Sequence, residues 1–118
     1  MNAGELGKYG EELAVNYLSR KGYEILDRNW RHKQDEIDIV TRIGMWLVFV
    51  EVKTRSGNAY GKPYESVDNR KEKAMIRAAE AYIEEKELDE NIRFDIISVL
   101  VSGEDDVLIE HIEFAISL

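Results

Sequence analysis

The chain has 118 residues, a formal net charge of −8, 44% hydrophobic residues and 34% charged residues, a composition typical of one globular domain. It has no cysteine and two histidines, which excludes disulfides and thiolate metal sites and disfavours a histidine-rich zinc site. Any metal site must then use oxygen ligands, which suit Mg²⁺, Mn²⁺ or Ca²⁺.

The first predicted element is a helix over residues 4–21. Its apolar positions recur at three- and four-residue steps and form one stripe, which consists of Leu6, Tyr9, Leu13 and Tyr17. Glu11 lies at the edge of this stripe and can point toward the core, whereas Glu12 lies on the outer side. Gly22 is expected to end the helix.

The remaining pattern predicts five strands and one more helix. Strands are expected at residues 23–30, 36–42, 45–54, 93–101 and 107–114, with a loop over 55–66, a helix from the Asp68 cap to about Lys86, and a turn over 102–106. The order is α-β-β-β-α-β-β. The helix between the third and fourth strands permits a parallel crossover, and the first three strands form a meander. We therefore predict an α/β fold, with a mixed five-stranded sheet flanked by helices, in one domain spanning residues 1–118.

No segment predicts export or membrane insertion. The N-terminus has no basic-then-apolar signal pattern, and the longest apolar run, residues 45–50, is far too short to span a bilayer. We expect a cytoplasmic protein that contacts no membrane.

The predicted hairpin EIDIVTRIGMWLVFVEVK, residues 36–53, is mostly core-like but carries three carboxylates, Glu36, Asp38 and Glu51, and the ammonium of Lys53. With a two-residue turn at Ile43-Gly44, Arg42 faces Met45, Asp38 faces Phe49 and Glu36 faces Glu51. Because side chains alternate, one face then carries Glu36, Asp38, Phe49, Glu51 and Lys53, and the other Ile37, Ile39, Val48, Val50 and Val52. Asp38 and Glu51 become diagonal neighbours roughly 7–8 Å apart. A turn longer by two residues keeps this parity, whereas a bulge breaks it.

Clustered carboxylates on one face repel each other and need compensation, either from Lys53 or from a divalent cation. A solvated face with salt bridges explains any one of these acids taken alone. It explains the set less well, because residues 48–52 look buried on both sides and buried charges need partners. Two carboxylates that hold a divalent metal, with a lysine two residues from a ligand on the same face, suit phosphodiester hydrolysis.

The spacing from Asp38 to Glu51-Val52-Lys53 resembles the D…E-x-K pattern of the PD-(D/E)XK nucleases, a pattern that also occurs often by chance. Longer segments are more specific: GKYGEELAVNYLSRKGYEILDRNWR, DEIDIV, VFVEVKTR, YGKPYESVDNRKEKAMIRAAEAYI and RFDIISV. Together they closely resemble the YraN-like family of predicted endonucleases, related in fold to Holliday junction resolvases. The resemblance covers nearly the whole chain and implies a restriction-endonuclease-like fold.

The resemblance also implies roles. Glu11 matches the glutamate of the family's G-E-x-x-A motif, Asp38 the aspartate of G-E-I-D, and Glu51 and Lys53 the E-V-K motif. In related resolvases the matching acids bind the metal, here Mg²⁺ or Mn²⁺, with the helix glutamate assisting, and the lysine is catalytic. Glu36 matches a recurrent family residue, for which we expect a supporting part.

Asp35 departs from the family pattern, which usually has glycine at this position. If the position requires a positive φ, aspartate tolerates it better than most residues. If glycine instead lets a backbone approach closely, the aspartate alters substrate access.

The net charge disfavours a generic nucleic-acid binder, but the acidic excess is uneven. Residues 1–62 have ten lysines and arginines against nine acids, whereas residues 63–118 have six against fifteen. Arg55, Arg70 and Lys71 are candidates for phosphate contacts, with an ordinary solvated face equally favoured. For Lys73 and Arg77 the solvated face is the preferred interpretation.

Other candidates are weaker. Arg28, Arg31, His32 and Lys33 form either a second DNA-contacting surface or a plain polar turn. Tyr60 and Tyr64, in the predicted loop, are candidates for base stacking, and Trp46 is expected in the core. We interpret Asp95 as structural, and neither histidine lies in a motif.

The leading hypothesis is a Mg²⁺- or Mn²⁺-dependent endonuclease that hydrolyses DNA phosphodiester bonds. Branched DNA is suggested only by analogy with resolvases, and the same analogy is compatible with a homodimer. The alternative is a non-catalytic nucleic-acid-binding or protein-interaction module that retains the nuclease fold.

Overall fold

The computed structural model describes residues 1–57, 68–103 and 105–117. Within these ranges the chain forms, in order, α1 (Ala3–Arg20), β1 (Glu24–His32), β2 (Asp35–Ile43), β3 (Trp46–Ser56), α2 (Asn69–Lys86), β4 (Asn91–Val101) and β5 (Val107–Ile112). The predicted order α-β-β-β-α-β-β is confirmed. β3 extends to Ser56, so the loop prediction was wrong for Arg55 and Ser56, and Tyr60, Lys62 and Tyr64 lie outside the described residues.

The five strands form one sheet in the order β1-β2-β3-β4-β5. β3 and β4 are parallel, and the other neighbouring pairs are antiparallel. The parallel pair arises because α2 lies between the two strands in the chain and provides the crossover that such a pair needs. As predicted, Asp68 caps α2, and its side chain accepts the Lys71 backbone N–H at 2.9 Å.

The helices cover opposite faces of the sheet, because β3 alternates between two core clusters. Leu47 and Phe49 pack in the cluster that contains Met75, Ala78 and Tyr82 of α2. Val48 and Val50 pack in the cluster that contains Ala14 and Leu18 of α1. The result is a three-layer α/β arrangement, with the sheet buried between one helix and the other. In the described part of the chain, neither helix has the length and apolar character needed to cross a membrane.

The β2–β3 turn lies one residue later than predicted. Ile43 pairs with Trp46, and the ladder continues to Ile39 opposite Val50, so the turn is Gly44-Met45 rather than Ile43-Gly44. Gly44 has a φ of +56°, a backbone conformation that glycine adopts without strain. The predicted pairing of Asp38 with Phe49 is therefore wrong, since Phe49 pairs with Val40. Along this ladder, each side chain still points to the predicted face of the sheet. The numbers of two paired residues add up to two more than predicted, and an even change keeps the same residues on the same face.

The alternation of β2 is interrupted at Asp38. Ile37 packs in the α2-side cluster, whereas Ile39 packs in the α1-side cluster, so the prediction that they share a face is wrong. The backbone of the neighbouring strand β1 is irregular at the point opposite Asp38. Asn29, which lies between the residues paired with Ile39 and Ile37, has a φ of +51°. Asparagine tolerates this left-handed conformation, and the local change in side-chain direction occurs next to Asp38.

Gly10 marks a close approach of α1 to β3. A Cβ at this position would overlap Thr54 Oγ1 and lie 2.8 Å from Thr54 Cβ. The contact fixes the height of α1 above β3, and Glu11 is the next residue along the helix. The glycine is therefore required by packing rather than by backbone conformation.

We expect Gly10→Ala to lower the free energy of unfolding by about 1–3 kcal/mol, the usual cost of overpacking a core. Gly7→Ala is the matched control in the same helix, because a Cβ there meets nothing within 4 Å. The control is expected to stabilise by about 0.5–1 kcal/mol, since alanine is the better helix former. Urea unfolding of both variants checks this. Equal stability of the two would contradict the close approach.

Candidate active site

Glu51 is a nearly buried carboxylate between two ammonium groups. Its side chain is 8% exposed, with Lys71 Nζ 3.2 Å from Oε2 and Lys53 Nζ 3.9 Å from Oε1. Alternation along β3 directs Glu51 and Lys53 to one face, as predicted, and this is the face that α2 covers. The first turn of α2 brings Lys71 to Glu51. A buried carboxylate needs such partners, because burial without them is costly.

Asp38 lies beside Glu51 on the neighbouring strand. Its Oδ2 accepts the Val52 N–H at 2.8 Å, beyond the last backbone pair of the β2–β3 ladder. Burial and the charge of Glu51 together raise the pKa of Asp38 to about 7, against the hydrogen bond from Val52. The bond to Val52, the residue after Glu51 on β3, places the Asp38 carboxyl group next to the position of Glu51, and the effect of Glu51 on its pKa agrees with that placement.

Glu11, on α1, contributes a further negative charge that acts on Asp38. Glu11 is half-buried. Its negative charge further raises the pKa of Asp38, whereas the positive charge of Lys71 lowers that pKa. The charges of Glu51 on β3, Glu11 on α1 and Lys71 on α2 thus all act on the Asp38 carboxyl group. Glu11 lies one residue beyond Gly10, so the close packing of α1 on β3 positions it.

The donor chemistry fits a hard divalent cation. Within the described ranges, no three histidine, aspartate or glutamate side chains are already arranged to hold a metal ion. The carboxylates of Asp38 and Glu51 are nevertheless the oxygen ligands that Mg²⁺ or Mn²⁺ prefers, and their mutual repulsion would be relieved by a cation between them. The pair fits such an ion, with Glu11 at its edge.

The three residues predicted to contact phosphates have different surroundings. Lys71 is paired with Glu51, and Arg70 is exposed at the start of α2. Arg55 is two residues beyond Lys53 on β3 and shares its face by alternation. Its Nε is buried and, among the described residues, is the one buried side-chain nitrogen or oxygen without a hydrogen-bond partner. A guanidinium in this state has unused capacity to bind an anion.

Glu36 does not face Glu51, so that predicted pairing is wrong. Instead its Oε2 lies 2.7 Å from Arg31, the residue opposite it on β1. The shifted turn and the interruption at Asp38 account for the difference. Arg28 is likewise paired with Glu12 at 2.9 Å, so two of the four residues in the predicted basic cluster are already neutralised by acids.

Asp35 holds α2 to the start of β2. It is 8% exposed and binds Arg77 through two bonds, at 3.1 Å from Nε to Oδ2 and 3.0 Å from NH2 to Oδ1. It does not have a positive φ, so backbone conformation does not explain the aspartate. Arg77, expected on a solvated face, is half of a bidentate ion pair.

A polar network on the α1 face was not predicted beyond the structural interpretation of Asp95, which is completely buried. Asp95 accepts two hydrogen bonds from Arg93, at 2.9 and 2.8 Å, and one from the Phe114 N–H at 3.2 Å. His111 Nε2 lies 2.7 Å from it, and Tyr17 OH lies 3.2 Å from the other nitrogen of His111. This network joins α1, β4 and β5.

The network lies away from Glu51. Asp95 pairs with Val50, whose side chain packs beneath α1, whereas Glu51 faces α2. The sequence signal for the network was the oppositely charged pair in the RFD stretch at the start of β4. Its other partners come from distant parts of the chain, so no local motif reveals them.

Comparison with known proteins identifies the family. A profile described as "Uncharacterised protein family UPF0102" matches residues 10–99, a range that includes Glu11, Asp38, Glu51 and Lys53. The UPF0102 protein of Christiangramia forsetii is 45% identical over 111 residues, covering 94% of this chain and 92% of that protein. The UPF0102 protein of Syntrophotalea carbinolica is 47% identical over 107 residues, covering 90% and 86%, and that of Dictyoglomus turgidum is 44% identical over 109 residues, covering 92% of each. These names state no activity. The chain belongs to the uncharacterised protein family UPF0102.

Proposed function

We propose that this protein is a divalent-metal-dependent endonuclease of the restriction-endonuclease-like fold, which hydrolyses DNA phosphodiester bonds. The observation that carries the proposal is the convergence of Asp38 and Glu51 from neighbouring strands, beside Lys53 and Lys71, where burial and repulsion raise the pKa of Asp38. Strongly perturbed carboxylates near charged partners are typical of functional sites. The mixed sheet covered by one helix on each face, and the resemblance to predicted endonucleases, support the same conclusion.

In this proposal Asp38 and Glu51 are the metal ligands and Glu11 assists them from α1. Asp38 and Glu51 would hold a Mg²⁺ or Mn²⁺ ion, which would supply polarisation of a phosphoryl oxygen and a lowered pKa of bound water. Lys53 is the catalytic cation. Its Nζ lies 3.9 Å from Glu51 Oε1, and in this proposal it donates to the phosphoryl oxygen that gains negative charge in the transition state.

DNA is the proposed substrate class, and branched DNA is preferred by analogy with resolvases. Arg55 and Arg70 would contact phosphates on either side of the scissile one. The acidic second half of the chain would keep DNA away from other surfaces. By the same analogy we propose a homodimer, because a four-way junction presents two strands to cut.

The alternative is a non-catalytic nucleic-acid-binding or protein-interaction module. Two observations favour it: the net charge of −8, and the lack, within the described residues, of an already formed group of three metal-ligating side chains. It predicts binding of DNA or of a protein without cleavage.

Incubation with branched, flapped, single-stranded and plasmid DNA, in Mg²⁺, Mn²⁺ or EDTA, tests the proposal. We expect metal-dependent cleavage that falls to background in Glu51→Gln and Lys53→Ala, because these changes remove a metal ligand and the catalytic cation. Lys73→Ala is the control, since Lys73 is exposed on α2, and it should cleave like the wild type. Absence of cleavage on every substrate, together with no Mn²⁺ binding by calorimetry, would overturn the proposal. DNA binding without cleavage would support the alternative.

A further inference from the structure

We propose that Lys71 is a built-in counter-ion for Glu51, which a divalent metal must displace and which then contacts a phosphate of the substrate. This inference rests on the proposed function, because it concerns the same carboxylates. It assigns to Lys71 a positioning role distinct from that of the catalytic lysine, Lys53.

The first argument is that each carboxylate oxygen of Glu51 faces an ammonium group, and that Oε2 is the more closely occupied of the two. Lys71 lies 3.2 Å from Oε2 and Lys53 lies 3.9 Å from Oε1, and the Glu51 side chain is 8% exposed. The shorter contact belongs to Lys71. A cation that binds Oε2 must therefore displace the Lys71 ammonium, since like charges repel each other at this distance.

The second argument is that Lys71 can leave, whereas Lys53 is held near Glu51 by the strand. Lys53 is two residues from Glu51 on β3, so the sheet keeps both side chains on one face. Lys71 projects from α2, and its side chain is 36% exposed. A flexible four-carbon stem at a partly exposed position lets the ammonium move into solvent or onto a ligand.

The third argument comes from the position of Lys71 in its helix. Lys71 is the third residue of α2, whose cap is Asp68. A cation in the first turn is unfavourable, because the helix dipole places partial positive charge there. Glu51 compensates for this while the pair is intact. Once Lys71 is displaced, an anion is favoured beside it, and a DNA phosphate supplies that charge.

Metal and substrate should therefore bind cooperatively. A phosphate that binds Lys71 weakens its hold on Glu51 and so favours the metal, and a metal that displaces Lys71 makes its ammonium available to phosphate. Such coupling is reciprocal by thermodynamic necessity. The metal-free, DNA-free protein is then a latent state in which Lys71 compensates the Glu51 charge.

Mn²⁺ titration by calorimetry tests the inference without an activity assay. We expect Lys71→Met to bind Mn²⁺ about tenfold more tightly than the wild type, a typical size for such coupling. Lys73→Met is the matched control, because it removes the same charge from the same helix at an exposed position. Its affinity should remain within about twofold of the wild type, since exposed charges are screened. Addition of a single-stranded oligonucleotide should tighten Mn²⁺ binding to the wild type and to Lys73→Met, but not to Lys71→Met.

Metal-free unfolding gives a second measurement. Lys71→Met should lower the midpoint of the unfolding transition, because the Glu51 carboxylate then has only Lys53, the more distant ammonium group, to compensate its charge. The same change should have little effect in a Glu51→Gln background, where no charge needs compensation. Independence of the two substitutions would overturn the ion pair itself.

The outcomes separate this inference from the proposed function. Equal Mn²⁺ affinity in the wild type and Lys71→Met overturns the counter-ion role and leaves the metal site intact. Failure of every protein to bind Mn²⁺ overturns the metal site and this inference with it. Tighter binding by Lys71→Met and Lys73→Met alike overturns the inference, because it would show a general charge effect.

Discussion

Replacement of Asp38 by asparagine is expected to stabilise the metal-free protein at alkaline pH and to abolish metal-dependent cleavage. Burial and the charge of Glu51 raise the pKa of Asp38 from 3.8 to about 7 in the folded state. The carboxylate therefore keeps its proton in the folded protein over a range where the unfolded chain has lost it. Asparagine remains neutral and can still accept the Val52 N–H through its side-chain oxygen.

The direction in which stability changes with pH follows from the difference between the pKa of Asp38 in the folded and in the unfolded state. Below about pH 4 the side chain is protonated in both states and Asp38 costs the fold no stability through its charge. As pH rises toward about 7 its contribution becomes increasingly unfavourable, and above that it stays constant. Since each unit of pKa difference corresponds to about 1.4 kcal/mol, the loss is on the order of a few kcal/mol. The advantage of Asp38→Asn over the wild type should grow across the same interval.

Urea unfolding in EDTA at about pH 5 and pH 8 measures this difference. Asp89→Asn is the control, because Asp89 is exposed and should follow the wild type at both pH values. An advantage of Asp38→Asn that does not grow with pH would refute the assigned titration. In the proposed function, Mg²⁺ should stabilise the wild type at pH 8 and have much less effect on the variant. Stability gained with loss of activity is the expected signature of a site under functional strain.

The parts of the fold that were predictable depend on local patterns. The apolar stripe of α1, the alternating strands and the Asp68 cap each involve residues a few positions apart. The parallel β3–β4 pair also followed, because a helix between two strands provides the crossover. For the same reason, the shared face of Glu51 and Lys53 was predictable from their two-residue spacing.

The register of the β2–β3 hairpin was harder to predict from the sequence. Both Ile43-Gly44 and Gly44-Met45 place glycine in the turn, so the residues alone do not choose between them. The predicted faces of the paired residues were still correct, because moving the turn by one residue shifts the pairing by two positions, and a shift of two keeps each side chain on the same face. The interruption at Asp38 was not predictable from β2, since it accompanies the left-handed conformation of Asn29 on the neighbouring strand.

Long-range partners were the main omission. Lys71 meets Glu51 only because α2 packs on the sheet with its first turn over β3, and Arg77 meets Asp35 for a similar reason. Tyr17 and His111 are 94 residues apart in the chain. On β3, spacing identified which charged residues share a face, but the counter-charge that each receives is set by tertiary packing.

Asp95→Ala is expected to lower the free energy of unfolding by about 3–5 kcal/mol, the usual cost of leaving a buried charge without its partner. Asp95 is completely buried, and the Arg93 side chain is 6% exposed. Truncation removes both bonds from Arg93 and leaves His111 Nε2 and the Phe114 N–H without this acceptor. Arg93 would retain Tyr23 and the half-exposed Glu113, at 3.3 Å, which is incomplete compensation.

The contribution of Asp95 to stability changes with pH in the opposite direction to that of Asp38. Burial alone would raise the pKa of Asp95, but hydrogen bonds from His111 and Arg93 outweigh it and lower the pKa below 3.8. The stabilisation by Asp95 is therefore present at neutral pH and is lost only as pH falls below about 4, toward the folded-state pKa. The cost of Asp95→Ala should therefore be present at neutral pH and decrease only as pH falls below about 4, whereas the advantage of Asp38→Asn grows as pH rises.

A double variant separates the attraction within the network from the cost of an unpaired charge. Arg93→Met with Asp95→Leu removes both charges and fills the space with apolar atoms, so we expect it to recover part of the stability lost in Asp95→Ala. Asp89→Ala is the exposed control and should remain within about 0.5 kcal/mol of the wild type. If the double variant is less stable than Asp95→Ala, the network contributes net attraction, and the cost cannot be assigned to an uncompensated Arg93. If Asp95→Ala unfolds like the control, the network is not the link between α1, β4 and β5 that its hydrogen bonds indicate.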